Sequence, residues 1–251
     1  MSLKPPKKSD MNKSWMQPRL DRLKKIQPEY HLIVTEGTDT EPAYFEAIRD
    51  IINRQYREKI QLDIFGEGDN TLSLFKKAKA KAEESANGYS HVWVIYDTDD
   101  FPADHTNKVV DLCRMNSTQE TEYHAIWSNQ CIELWYLLHF GFMQSDLHRN
   151  EYWPKLTEWL EGIGAGKYEK NRADMYHVLR PFMDVALANA GRLAVINEGK
   201  MPSQAAPGTQ VYKLVEKLKA YLLPDDCNHQ TENADYDKPP VKERNQAVRK
   251  D

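Results

Sequence analysis

Acidic residues directly follow two short, apolar and β-branched runs of the sequence. The first run ends in Glu36, and the second ends in Asp97, Asp99 and Asp100. In an open α/β sheet, ligands bind beyond the carboxyl ends of the strands. If the two runs are neighbouring strands, their carboxylates surround one crevice, where like charges repel unless a hard cation lies among them. Mg²⁺ favours carboxylate oxygens together with water and substrate phosphate, so the pattern indicates a metal-assisted phosphoryl-transfer site.

The spacing of the second acidic group supports this interpretation. Asp97 and Asp99 are two positions apart, so in an extended segment both side chains face the same way and can bind one cation. The alternative is an acidic surface turn. The preceding residues 92–96 are apolar or aromatic, which indicates a buried central strand and favours a crevice. Asp100 is either a third acid of the site or part of the approach to the next helix.

The turn after the first run has a structural explanation of its own. Gly37 permits a sharp turn, and Thr38 and Glu41 have the spacing of a capping box at the start of a helix. Glu36 is not needed for capping, so its presence at the end of the strand favours a role in the site.

A third candidate acid lies in the apolar segment 131–140, which we predict to be a buried helix. Glu133 is either a first-turn acid stabilised by the helix dipole or a site residue that faces the other carboxylates. Near the end of this helix, His139 is predicted to be a C-terminal cap rather than a metal ligand.

The arrangement of predicted elements gives the fold class. Strands are predicted at 30–35, 61–65, 91–96 and 123–127. Helices are predicted between and after them at 40–57, 71–86, 105–115 and 131–140. This alternation predicts an α/β fold with a mostly parallel sheet flanked by helices. Beyond residue 150 only helices are predicted, at 151–162, 168–181, 182–191 and 208–222.

Composition divides the chain into four segments. A flexible basic arm over 1–28 is followed by the α/β core over 29–143, a helical extension over 144–223 and a disordered tail over 224–251. The net charge of −4 excludes a globally basic nucleic-acid binder but allows a local basic patch. The candidate phosphate contacts are Lys76, Lys77, Lys79, Lys170 and Arg172, and the alternative for the lysine-rich helix is a solvated face.

The cysteines and the apolar runs set the expected compartment. Cys113, Cys131 and Cys227 are scattered, without the CxxC or Cys/His spacing of a structural zinc site. Scattered cysteines fit a reducing cytoplasm, and the lysine-rich start lacks the apolar region of a secretory signal. Since no apolar run approaches the ~20 residues that span a bilayer, we expect a cytoplasmic protein without a membrane partner.

Three motifs taken together resemble the RloB-like proteins. They are Glu-Gly-x-x-Thr-Glu-x-x-Tyr-Phe at 36–45, Asp-x-Asp-Asp at 97–100 and Ser-Asn-x-Cys-x-Glu-Leu-Trp-x-Leu-Leu-His-Phe at 128–140. The segments 168–171 and 209–215 agree as well, so the resemblance covers roughly residues 29 to 222. The usual proline after Ser-Asn is Gln130 here, a departure that alters the start of the helix rather than the acids.

The resemblance implies a TOPRIM-like fold, which topoisomerases, primases, OLD-type nucleases and RNA-maturing nucleases share. It implies that Glu36 acts as general acid or base and that Asp97 and Asp99 bind Mg²⁺, with Mn²⁺ as a substitute and Glu36 as a further ligand. It also implies a setting in restriction-linked, abortive-infection-type phage defence. The expected partners are nucleic acid and an ATPase or another defence protein.

Several functions fit this pattern to different degrees. A topoisomerase needs a tyrosine nucleophile in a gated domain, for which there is no room, and a primase usually carries a zinc module. A metal-dependent nuclease needs only the acids and a surface. The alternative is a non-catalytic sensor or adaptor that binds a partner ATPase in a defence complex. A Rossmann-like enzyme ranks last, because no glycine-rich phosphate loop follows the first strand. The choice of DNA or RNA, the number of metals, the trigger and the oligomeric state stay open.

Overall fold

The computed structural model describes residues 28–68, 70–98 and 102–222. Its strands in this part of the chain are β1 (Glu29–Thr35), β2 (Ile60–Gly66), β3 (His91–Asp97) and β4 (Glu122–Ser128). The helices between the strands are α1 (Thr40–Gln55), α2 (Thr71–Glu84) and α3 (Ala103–Asn116). The helices after β4 are α4 (Glu133–Leu138), α5 (Arg149–Gly162), α6 (Met175–Leu179), α7 (Met183–Ile196) and α8 (Val211–Leu222), with 3₁₀ turns at Arg180–Phe182 and Pro202–Gln204.

The strands form one sheet with the order β2-β1-β3-β4, and every pairing in it is parallel. The predicted α/β fold with a helix-flanked sheet is therefore confirmed, as is the helical C-terminal region. The chain leaves β1 toward β2 on one side and returns to place β3 on the other side. Such a reversal opens a crevice at the carboxyl ends of the two central strands, which are the strands that end before Glu36 and at Asp97.

Helices cover both faces of the sheet. Along β1, Leu32 and Val34 pack with α2 and α3, while Ile33 packs with α1 and the C-terminal helices. In β3, Val94 lies on the face that α2 and α3 cover, and Trp93 lies on the face that α1 and the C-terminal helices cover. Because both faces are buried, the two central strands are continuously apolar rather than alternating.

The C-terminal helices share the core of α1. The fully buried indole of Trp135 in α4 donates a hydrogen bond of 2.9 Å to the hydroxyl of Tyr44 in α1. After α7, the chain returns to the end of β4, where Thr209 forms an antiparallel bridge with Ser128. The first contact places α4 on the same face of the sheet as α1, and the second holds the segment before α8 at the end of β4.

Two predicted helices are shorter in the structure, for a backbone reason. The helix predicted over 131–140 spans only Glu133–Leu138, because the turn before it, in which Gln130 has a φ of 64° and the Cys131 N–H donates to the Asn129 carbonyl, includes Cys131. The helix predicted over 168–181 is reduced to α6 and a 3₁₀ turn, since Asn171 has a φ of 71°. A positive φ lies outside the right-handed helical region, so neither residue can lie inside an α-helix. None of the helices in the described ranges has the length and apolar character needed to cross a membrane.

Candidate functional site

The carboxyl ends of β1 and β3 bring Glu36 and Asp97 together. The backbone N–H of Asp97 donates to Glu36 Oε2 at 3.1 Å, and the Thr71 hydroxyl lies 3.5 Å from Glu36 Oε1. The Glu36 N–H in turn donates to the carbonyl of Ile95 on the neighbouring strand at 2.9 Å. The Glu36 carboxylate is thus held against the end of β3, and the two acid-tipped strands are neighbours.

Both residues line a cavity of about 650 Å³ at this end of the sheet. Its acidic lining residues are Glu36, Asp39, Glu41, Asp97 and Glu133, and its basic ones are Arg149 and Lys170. The excess of carboxylates gives the cavity a strongly negative potential, which attracts cations.

Glu41 lies in this cavity instead of capping a helix. The N-cap of α1 is Asp39, without a side-chain cap hydrogen bond, and Thr38 donates to the Asp39 carboxylate at 3.0 Å. The Glu41 carboxylate folds back over Gly37, so closely that a Cβ at Gly37 would collide with it. The capping box, which is the structural alternative for this turn, does not form, because its acid faces the cavity. At the start of α2, by contrast, Asn70 is the N-cap, and its side chain accepts a hydrogen bond from the N–H of Ser73 at 3.1 Å.

Glu133 is held in a fixed orientation at the cavity wall. Its side chain is buried, and Oε1 accepts hydrogen bonds from the Tyr168 hydroxyl at 2.7 Å and from the Trp153 indole at 3.2 Å. These donors satisfy one oxygen of the carboxylate. The structure therefore places Glu133 with the other acids, as one of the two sequence interpretations expected.

Burial and like charges act on the protonation of Glu41. Burial, followed by the nearby Glu133 and Asp39 carboxylates, raises the pKa of Glu41, although its own N–H and Lys170 act in the opposite direction. A carboxyl with this environment is stabilised as an anion by any cation that enters the cavity.

Replacing Glu41 by Gln is expected to raise the free energy of unfolding by about 1 kcal/mol at pH 8 in metal-free buffer. The pKa of Glu41 is raised above its ordinary value of 4.5, so between the two values the folded protein binds more protons than the unfolded chain. Its contribution to stability is therefore lost as pH rises through the folded-state pKa. Urea unfolding of both proteins at pH 4 and pH 8 measures the difference. If Glu41→Gln raised the free energy of unfolding equally at both pH values, or if exposed Glu58→Gln raised it as much, the raised pKa of Glu41 would not be the cause.

Neither thiol nor imidazole of the third motif is a reactive group. Cys131 is buried, and burial together with the nearby Glu133 and Asp97 carboxylates raises its pKa, so the nucleophilic thiolate is disfavoured. His139 follows α4 as its C-cap, with Nδ1 2.9 Å from the carbonyl of Trp135. Its predicted role as a cap is confirmed, and burial lowers its pKa to about 4.

The candidate phosphate contacts separate into two groups. Lys170 lines the cavity, and Arg172 lies two residues farther on, where it donates to Asp174 at 2.9 Å. The lysines of α2 lie away from the residues that line the cavity. Lys77 pairs with Glu67 at 3.0 Å and Lys79 donates to Asn116 at 2.8 Å, while Lys76 is exposed.

Two of the predicted acids, Asp99 and Asp100, lie outside the described residues. Of the acids predicted to bind metal, the structure therefore describes Glu36 and Asp97, and Glu41 and Glu133 line the same cavity. A hard divalent cation suits this donor set, because all of its donors are carboxylate oxygens.

Glu133 and Lys170 are named as candidates from the sequence, but Arg149 and Asn171, which also line the cavity from the helical region, are not. Arg149 begins α5, and Asn171 accepts a hydrogen bond of 2.7 Å from the Thr40 hydroxyl. A signal for Asn171 exists in the sequence, since asparagine tolerates the left-handed conformation that turns near sites use. The hydrogen bond between Thr40 and Asn171 joins residues that are 131 positions apart, so no local sequence pattern predicts it.

Comparison with known proteins gave one match. The family model described as RloB-like protein matches residues 31–218, which includes the acids of the cavity and the helices that hold them. The searches of curated proteins and of solved structures found no match.

Proposed function

The chain belongs to the RloB-like protein family, and from this premise we propose that it hydrolyses phosphodiester bonds of nucleic acid with the help of Mg²⁺. The observation that carries the proposal is the meeting of Glu36 and Asp97 at the carboxyl ends of two neighbouring parallel strands. In an open α/β sheet this is the position at which ligands bind.

The residues of the cavity fit a magnesium ion. Its acids offer oxygen donors only. The pKa of Glu41 is raised by burial and then by neighbouring carboxylates, whose charge a cation would offset. Asp97 would hold the ion together with Asp99, which is included on the spacing of the Asp-x-Asp motif, with Glu36 beside Asp97 as the base. When bound, Mg²⁺ supplies Lewis-acid polarisation of a phosphoryl oxygen.

The chain's own residues have separate roles in this proposal. Glu36 is fixed by the N–H of Asp97, so its carboxylate is positioned to take a proton from the attacking water as a general base. Lys170 and Arg149 at the cavity wall would pair with backbone phosphates on either side of the cleaved bond. The lysines of α2 remain candidates for a more distant stretch of the same strand.

The biological setting of the proposal follows from the family resemblance. We propose a role in abortive-infection-type phage defence, with RNA or DNA as substrate and an ATPase as partner. Such a partner would restrain the nuclease until infection, because uncontrolled cleavage of nucleic acid harms the host.

A cleavage assay with the purified full chain tests the proposal. The substrates are single-stranded RNA, a tRNA transcript and duplex DNA, each incubated with Mg²⁺, with Mn²⁺ or with EDTA. The chain is assayed alone and after co-expression with the proteins encoded next to it. We expect metal-dependent cleavage of one substrate class and no cleavage in EDTA. Cleavage of none of them under any of these conditions would favour the non-catalytic sensor or adaptor.

A further inference from the structure

A second cluster of ligand-type side chains lies at the opposite end of the sheet from the acidic cavity. His31, His91 and His124 come together there with Glu29 and Glu122. Each is at or near the amino end of its strand, roughly 20 Å along β3 from Asp97 at a rise of ~3.3 Å per residue. The proposed function uses none of these residues.

Three atoms of this cluster are spaced like the ligands of a tetrahedral ion. His91 Nδ1 lies 2.9 Å from His124 Nε2, and Glu122 Oε2 lies 3.5 Å from the first nitrogen and 3.7 Å from the second. Ligand atoms at ~2.0–2.1 Å from a tetrahedral Zn²⁺ are about 3.3–3.4 Å from one another. One of the three observed distances is shorter than this separation and two are longer. Small shifts of the side chains would therefore suffice to admit the ion.

The hydrogen bonds around His91 present the correct nitrogen. Glu29 Oε1 lies 2.8 Å from His91 Nε2, so the carboxylate holds the ring proton on Nε2. The lone pair is thereby left on Nδ1, which accepts a hydrogen bond from His124 Nε2 at 2.9 Å. An ion bound by both nitrogens would move the His124 proton from Nε2 to Nδ1, since metal-binding nitrogens must be deprotonated. A carboxylate behind the second nitrogen is the usual way in which proteins orient a metal-binding histidine.

The other group of three ligand-type side chains in the cluster, Glu29, His31 and His91, is not suited to bind a metal ion. The Trp93 indole N–H donates to His31 Nδ1 at 3.1 Å. An indole can only donate, so in the neutral ring the proton of His31 is on Nε2, which faces Glu29 at 3.4 Å. A metal on Nε2 would require this proton to move to Nδ1, which would break the hydrogen bond from the Trp93 indole, so His31 is held in the tautomer that does not bind a metal.

We propose that His91 Nδ1, His124 Nε2 and Glu122 Oε2 form a zinc site that ties the amino ends of β3 and β4 together. Two imidazoles and one carboxylate favour Zn²⁺ over Mg²⁺, because imidazole suits zinc whereas magnesium prefers oxygen. A groove of about 360 Å³ beside Glu122 and His124 leaves space for a water as the fourth ligand.

The surroundings keep the two imidazoles ready for an ion. The ring of His124 stacks on Trp93 with centroids 3.9 Å apart, which fixes its orientation. Burial lowers the pKa of His124 to about 4 and also lowers that of His91, so both rings are neutral at pH 7. Two lysines lie near the imidazoles. Lys217 is paired with Glu29 at 3.0 Å, so the carboxylate offsets the lysine's positive charge. Lys213 lines the groove.

Zinc titration of the full chain against a chromophoric chelator tests the site. We expect one Zn²⁺ per chain, and Co²⁺ in its place should give the strong visible absorption of a four-coordinate ion. His124→Gln and Glu122→Gln should each weaken binding at least about tenfold. The matched controls are exposed His177→Gln and Glu120→Gln, which should bind as the wild type does.

The stability readout is independent of nuclease activity. At a free Zn²⁺ concentration about 100 times Kd, the midpoint of thermal unfolding should rise by at least about 5 °C in the wild type and by much less in His124→Gln. Because Cys227 and His229 are further zinc-ligand types in the chain, the titration is repeated in Cys227→Ser/His229→Gln. Loss of binding in that variant, or binding unchanged by both His124→Gln and Glu122→Gln, would overturn the proposal.

Discussion

Replacing Glu36 by Gln is expected to lower the rate of Mg²⁺-dependent phosphodiester cleavage about 10³-fold while the protein stays folded. Two groups that hold Glu36, the Asp97 N–H and the Thr71 hydroxyl, lie at different oxygens of its carboxylate, Oε2 and Oε1. The glutamine carbonyl oxygen can accept from the Asp97 N–H, and the amide NH2 can donate to the Thr71 hydroxyl, which is also an acceptor. The side chain has the same shape. The substitution therefore removes charge and basicity from the site but leaves its position intact.

The dependence of the single-turnover rate on Mg²⁺ concentration separates the two roles open to Glu36. If it acts as general base, the rate of Glu36→Gln stays low at every Mg²⁺ concentration. Asp97→Asn, which removes a proposed metal ligand, should instead recover part of its rate as Mg²⁺ is raised. Exposed Glu58→Gln serves as the matched control and should cleave normally.

Two outcomes would count against this assignment. Recovery of Glu36→Gln at high Mg²⁺ would make Glu36 a metal ligand rather than a base. Full activity in both Glu36→Gln and Asp97→Asn would mean that the cleavage comes from another site or from a contaminating nuclease. Circular dichroism and thermal unfolding of each variant confirm that the fold is retained.

The position of the two acids was predictable from the sequence for a physical reason. A buried parallel strand is a continuous apolar run, and both runs stop abruptly at a carboxylate. Helices of ordinary length between the runs favour parallel pairing, and the register indeed sets Val34 beside Val94. Acids that follow such strands must then lie at one edge of the sheet.

The rest of the cavity depended on contacts that no local pattern reveals. The spacing of Thr38 and Glu41 is that of a capping box, and only the approach of Glu41 to Gly37 shows that its carboxylate faces inward. Glu133, in α4, and Lys170, in the loop between α5 and α6, reach the cavity from the region that follows the sheet. The residues of the proposed zinc site are far apart in the sequence, and strand register alone aligns His91 with Glu122.

Replacing Gln130 by Pro is expected to lower the free energy of unfolding by about 3 kcal/mol. Proline is the usual residue after Ser-Asn in the RloB-like pattern, so this substitution restores the family residue. However, Gln130 has a φ of 64° here, whereas the proline ring holds φ near −65°. The turn at Asn129–Cys131, closed by a hydrogen bond of 2.9 Å from the Cys131 N–H to the Asn129 carbonyl, would have to open.

Gln130→Gly separates the backbone effect from the loss of the side chain. Glycine adopts a positive φ without strain, and this variant loses only the contact in which Gln130 Oε1 accepts from the Arg149 N–H at 3.2 Å. We expect it to change the free energy of unfolding by no more than about 1 kcal/mol. Urea unfolding of both variants gives the comparison. A proline variant as stable as the wild type would show that the segment before α4 adopts the right-handed backbone in solution, with the longer helix that the sequence predicted.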